Sequence, residues 1–175
     1  MSRELDAREV VDFAKRSRLT FAVAESLTGG MVCDALVSIA GASEVFIGGV
    51  VSYHTDLKHS LLGVSDQLLH DHGPVDAAVA EEMARGVRIA CATQSSESGG
   101  RQQPDIGLAI TGVAGPDPDP ASGQRPGTVW VAVSSVRGER SQLFDFAGDR
   151  PSVREQATAA ALALLLDELR FSTAA

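Results

Sequence analysis

The sequence predicts a three-layer α/β/α domain built on a mixed, mostly parallel sheet. Three observations carry that prediction. Strand-length apolar runs alternate with stretches at helical spacing along the whole chain, the pattern of helices covering both faces of a sheet. The run Ile106 to Thr111 is almost entirely apolar, as in a central strand buried on both faces. Thr128 to Ser135 and Ser141 to Phe146 flank Val136-Arg137-Gly138-Glu139-Arg140, which reads as a β-hairpin and brings antiparallel pairing into the sheet. With 175 residues and neither an internal repeat nor a linker, residues 1–175 are expected to share one core as a single domain.

Each element follows from its local pattern. Val10, Val11, Phe13 and Ala14 mark an amphipathic helix from Asp6 to Ser17, and Thr20 to Ala24 is the first strand. After the segment Ala24-Glu25-Ser26-Leu27-Thr28-Gly29-Gly30, the residues Met31, Val32, Ala35, Leu36 and Ile39 recur at helical spacing until Ala40-Gly41. Phe46 to Ser52 is the second strand. Thr55 can cap a short helix carrying Leu57, Leu61 and Leu62 and ended by Gly63, and Asp76 can cap a longer one reaching Ala92. Thr93 to Pro104 is a polar loop, and a Pro/Asp/Gly/Ser-rich loop follows Pro116 and runs to Gly127. Ser152-Val153-Arg154-Glu155 has capping-box spacing and starts an Ala/Leu-rich helix that ends near Arg170.

Composition excludes several classes. The formal net charge is −8 and the Lys and Arg residues are scattered, whereas nucleic-acid binding needs clustered positive charge. No apolar run has the length of a membrane span, and the N-terminus resembles neither a secretory signal nor a transit peptide, so a cytoplasmic protein is expected. Cys33 and Cys91 are isolated within helical patterns and read as reduced core thiols. His70-Asp71-His72 lacks further suitably spaced ligands, so no metal is expected. The apolar helices of a modest α/β domain suit a homodimer.

Ligands of open α/β sheets bind beyond the carboxyl ends of strands, and three segments qualify. The first is the strand-to-helix turn at Ser26. Its two glycines, placed in the first helical turn, would leave backbone N–H groups uncovered for a phosphate or an oxyanion. The second is Tyr53-His54-Thr55-Asp56-Leu57-Lys58. Ser26 is either a helix cap or a hydroxyl nucleophile, and Lys58 either an exposed lysine or its base. In the first turn of a helix the dipole disfavours a cation, which would lower the lysine pKa. Tyr53 could orient the pair or be an interfacial ring, and His54 is another possible base. The third is Thr111-Gly112-Val113-Ala114-Gly115-Pro116, a turn with little side-chain cover. Neither glycine-rich turn continues as a Walker P-loop. Arg150 can clamp a phosphate or carboxylate, or pair with Asp149 or Glu155.

Together these segments resemble one family. Ala24-Glu25-Ser26 with Thr28-Gly29-Gly30, Ile39-Ala40-Gly41 with Ser43, Tyr53 with Lys58, Leu62-Gly63-Val64, His72-Gly73 with Val75, the Thr111 to Pro116 turn, Gly127-Thr128-Val129-Trp130 and Gly148-Asp149-Arg150 are similar in order and spacing to the CinA C-terminal domain family. The resemblance implies an α/β/α fold and nicotinamide-nucleotide amidohydrolase activity, with a small nucleotide as partner and neither metal nor cofactor. It implies that Ser26 is the nucleophile, Lys58 its base and Tyr53 their neighbour. Glu25, Thr28, Gly29, Gly30, Thr111, Gly112, Gly115 and Arg150 are expected to bind substrate. Leu27 stands where many members carry Cys, Pro74-Val75-Asp76 replaces Ala-Val-Ser, and Arg125-Pro126-Gly127 lacks a Val before its glycine. Nothing in the chain matches the N-terminal half of full-length members, so pyrophosphatase activity is not expected. A nucleotide-binding domain without turnover, or an amidase for another small amide, would share most of these residues.

Overall fold

A computed structural model describes residues 3–94 and 100–174. Its elements, in chain order, are α1 (Arg3–Ser17), β1 (Phe21–Glu25), α2 (Met31–Val37), a 3-10 turn (Ala42–Glu44), β2 (Phe46–Val51), α3 (Thr55–Leu62), α4 (Asp66–His72) and α5 (Ala77–Ala90). The short strands β3 (Thr93–Gln94) and β4 (Arg101–Gln102) precede β5 (Ile106–Gly112), β6 (Thr128–Ser135), β7 (Gly138–Asp145) and α6 (Arg150–Thr173).

The main sheet has five strands in the order β2-β1-β5-β6-β7. The pairs β1·β2 and β1·β5 are parallel, whereas β5·β6 and β6·β7 are antiparallel. Only β6 therefore opposes the common strand direction, and the mixed α/β fold is as the sequence predicts. Strand alternation sorts the core by size. Phe21, Val23, Ile106, Leu108, Ile110 and Val129 face α1, α2 and α6, while Ala22, Ala24, Ala109 and Ala132 face α3, α4 and α5. Small residues on the second face let its helices approach closely. At the α3/α5 contact a β-carbon on Gly86 would overlap the carbonyl oxygen of Leu62, so this packing sets the depth of α3.

Several local expectations are corrected. Gly29 and Gly30 precede α2 rather than open it, because both adopt left-handed backbone with φ of 60° and 98°. The helix ends at Val37, before Ala40-Gly41. His54, not Thr55, caps α3, its ring Nδ1 accepting from Asp56 N at 3.3 Å. Ser65 caps α4, a helix that the short polar pattern of its residues hides. The cap at Asp76 holds, accepting from Ala78 N at 2.8 Å. Within the expected loop of 93–104, β3 and β4 pair antiparallel, and positions 95–99 lie outside the described residues. The hairpin strand β7 starts at Gly138, so the turn is shorter than expected. Asp149 rather than Ser152 caps α6, accepting from Ser152 N at 3.1 Å, with Pro151 in the first turn, where its missing N–H costs nothing. Cys33 and Cys91 are free but only half-buried, beside Gly49 and Gly48 of the edge strand, and burial raises both thiol pKa values. Among the described residues no helix is long and apolar enough to cross a membrane.

Candidate active site

The parallel strands β1, β2 and β5 end on the same edge of the sheet. Beyond that edge lies a cleft of about 320 Å³ lined by Ser26, Tyr53, Lys58, Thr111, Gly112, Gly115 and Arg150. Ser26 directly follows β1, and its N–H extends the sheet ladder to Ile110 O at 3.0 Å. That bond fixes the backbone while the hydroxyl enters the cleft. Lys58 comes from the first turn of α3, reached from β2 through Ser52 and Tyr53.

The lysine is 1% exposed, yet its Nζ donates to Ser26 Oγ at 3.0 Å and to the carbonyl of Ser52 at 2.9 Å. Burial lowers its pKa from an ordinary 10.5 to about 8, against the opposing pull of the Asp119 carboxylate. A buried amine that gives up its proton more readily than an ordinary lysine thus touches a hydroxyl oxygen. Tyr53 is 60% exposed at the rim, where its hydroxyl accepts from Arg150 Nη2 at 2.8 Å. The other Arg150 nitrogen, Nη1, donates to Gly115 O at 2.9 Å, so α6 reaches across to both the Tyr53 and Gly115 segments. The Thr111 hydroxyl donates to Pro74 O at 2.6 Å and keeps only lone pairs for a ligand.

Four expected binding residues sit elsewhere. Glu25 is fully buried, and its carboxylate accepts from Gly30 N and Cys33 N at 2.9 Å each and from Val32 N at 3.3 Å. It caps α2 from inside the protein. The helix N-terminus that the sequence offers to an external anion is therefore filled by the chain's own carboxylate. Gly29 N donates to Ser26 O at 3.1 Å, and Gly30 N is taken by Glu25, so these glycines shape the turn rather than line the cleft. Thr28 is fully buried, its carbonyl accepting from Arg154 Nη2 at 2.7 Å and its hydroxyl unpartnered among the described residues. Arg154 Nε also donates to Leu27 O at 2.9 Å, which clamps the turn onto α6. The N–H groups of Leu27 and Thr28 donate to no described residue, and Leu27 lines the cleft.

Sequence reasoning misses two contributors. The Ser52 carbonyl that steadies Lys58 has no signature, since any residue could supply it. Asp119 has one: the Pro116-Asp117-Pro118-Asp119-Pro120 run follows directly on the Thr111 turn and so was bound to hang over the same sheet edge. His70 and His72 lie on α4, where His72 Nδ1 faces Asp76 Oδ2 at 3.4 Å.

Fold and site together define an α/β domain that holds a serine hydroxyl against a desolvated lysine at the carboxyl ends of parallel strands. The CinA C-terminal domain model matches residues 4–169, and the chain belongs to that family. A CinA-like protein of Geotalea daltonii is 40% identical over 161 residues, covering 91% of this chain and 36% of that protein. A CinA-like protein of Thermotoga neapolitana is 36% identical over 174 residues, covering 97% of this chain and 38% of that protein. The chain thus spans little more than a third of the length of these curated relatives. A solved CinA superfamily protein from Klebsiella pneumoniae is 29% identical with a TM-score of 0.86, covering 98% of this chain and 99% of that one. A competence/damage-inducible protein from Agrobacterium tumefaciens is 29% identical with a TM-score of 0.83, covering 97% and 99%.

Proposed function

We propose that the cleft hydrolyses the carboxamide of nicotinamide mononucleotide to nicotinate mononucleotide and ammonia, with Ser26 as nucleophile and Lys58 as base. The observation that carries this reading is the 3.0 Å contact between Lys58 Nζ and Ser26 Oγ in a site where the lysine is buried. A domain that only bound a nucleotide would need neither the hydroxyl nor the cost of burying an amine.

The steps follow from the geometry. With a pKa of about 8, roughly a tenth of Lys58 is neutral at pH 7. The neutral amine keeps one hydrogen on Ser52 O and turns its lone pair to Ser26, whose proton it accepts as Oγ attacks the carboxamide carbon. The oxyanion meets the N–H of Leu27, which lines the cleft and donates to no described residue, in place of the glycine donors spent on Glu25 and Ser26. The lysine ammonium protonates the departing nitrogen, ammonia leaves, and the ester stays on Ser26. Water, deprotonated by the same lysine, then releases the carboxylate product. Thr111 can accept from the amide NH2, and Arg150 at the rim suits the ribose phosphate.

Ammonia release from nicotinamide mononucleotide tests this reading, measured for wild type, Ser26→Ala and Lys58→Ala with a chelator present. Turnover by wild type alone is the expected result. Full activity of Ser26→Ala would sink the serine mechanism, and loss of wild-type activity to the chelator would point to a metal instead.

A further inference from the structure

Arg150 and Lys58 both bring positive charge to the cleft, an arrangement hostile to a further cation. Against them stand two carboxylates of the loop between β5 and β6, the exposed Asp117 and the half-buried Asp119, and only Asp119 bears on the Lys58 amine. The placement of Asp119 is firm. Oδ2 accepts from Ser122 N at 2.7 Å and from Ser122 Oγ at 2.6 Å. Its backbone is held as well, with Asp119 N donating to Gln124 O at 2.9 Å and Gly123 N donating to Asp119 O at 2.8 Å. The carboxylate is half-buried, and its field reaches the amine of Lys58, the group in contact with Ser26.

We propose that Asp119 is a specificity-determining residue that selects a ligand whose aromatic ring is permanently cationic over its neutral counterpart. The inference rests on the reading of the cleft as an amidohydrolase site and adds which feature of the substrate it reads. A carboxamide attacked by Ser26 must lie beside Lys58, and in a pyridinium carboxamide the ring nitrogen is meta to that group. The positive ring therefore enters the region that Lys58 and Asp119 share. There the carboxylate offsets the repulsion of the two basic side chains and attracts the ring. Arg150, at the rim beside Tyr53 and Gly115, is left to the phosphate. The cleft is thus charged in two parts that match a zwitterionic mononucleotide, phosphate on the arginine side and quaternised ring on the aspartate side.

The test compares nicotinamide mononucleotide with 1,4-dihydronicotinamide mononucleotide, which keeps the phosphate and carboxamide but has a neutral ring. Binding of both is measured by calorimetry in the Ser26→Ala background, with and without Asp119→Asn, so that the differing reactivity of the two amides plays no part. The expected result is that Asp119→Asn weakens the cationic ligand about tenfold and the neutral one less than about twofold, the size of one carboxylate–cation attraction near a protein surface. Equal weakening of both ligands would assign Asp119 to loop structure alone and overturn the inference, as would no change in either. Wild-type turnover combined with unchanged selectivity would overturn this inference and leave the amidohydrolase reading standing. Charge-selective binding without any ammonia release would do the reverse, and failure to bind either ligand would overturn both.

Discussion

Glu25 and Ser26 are chain neighbours that work on opposite sides of the same turn. The Glu25 carboxylate points inward and takes three N–H groups of the α2 N-terminus, while the Ser26 hydroxyl points outward to Lys58 Nζ at 3.0 Å. The buried cap holds the turn in shape, and the shape holds the Ser26 hydroxyl against Lys58.

Glu25→Ala should destabilise the fold by about 2–4 kcal/mol, because buried N–H donors lose their acceptor. The thermal midpoint should drop by about 5–10 °C for a domain of this size. Calorimetric unfolding checks it. A raised KM at an unchanged midpoint would instead return Glu25 to the substrate.

Lys58→Met should abolish turnover and raise stability. The lysine pKa falls from 10.5 unfolded to about 8 folded, so the unfolded chain binds the extra proton between those values and wild-type stability rises with pH across that window. Below pH 8 wild type carries the full burden of the buried ammonium. The gain from methionine should be about 1–2 kcal/mol there, since Ser52 O also loses its donor, and it should fade toward pH 10.5. Denaturant unfolding at pH 7 and pH 10 distinguishes this from a pH-independent packing effect.

The pH profile of kcat/KM should climb below about pH 8 and level off above it, as Lys58 loses its proton. Two influences set that value: the burial that lowers it and the Asp119 carboxylate that raises it. Asp119→Asn removes the stabilising carboxylate, so the acid limb should move to lower pH. A shift to higher pH would exclude Lys58 as the titrating base.

Arg150→Ala should raise KM about tenfold while kcat changes less than about threefold, the signature of binding lost equally from ground and transition states. Steady-state kinetics at fixed ionic strength reads this directly. An unchanged KM would remove Arg150 from the phosphate.

Much of the fold is legible because its signals are local. Ile106 to Gly112 is a central strand because its apolar residues can be buried on both sides, and Asp76 caps α5 because its side chain reaches the N–H two residues on. The errors are local competitions that sequence spacing cannot settle. Ser152 has capping-box spacing, yet Asp149 wins the cap because Pro151 suits the first turn. Leu68 and Leu69 are too few to declare α4, which forms because they pack on the cluster of α5. The site divides in the same way. Ser26, Lys58 and the Thr111 turn are visible as strand-end motifs, whereas the direction of the Glu25 carboxylate is not.

By itself the sequence determined the alternation of elements, the strand-end location of the cleft, and a lysine held in an unfavourable helical first turn. Those are consequences of side-chain periodicity and backbone propensity, which act within a few residues. Only the tertiary structure decided that Glu25 closes the anion site from within, that Arg150 meets the Tyr53 hydroxyl 97 residues away, and that Asp119 shares the cleft with Lys58. Such contacts depend on strand order and on loops closing over the sheet edge. No spacing within the chain encodes them, because their distances are set by the packing of elements far apart in sequence.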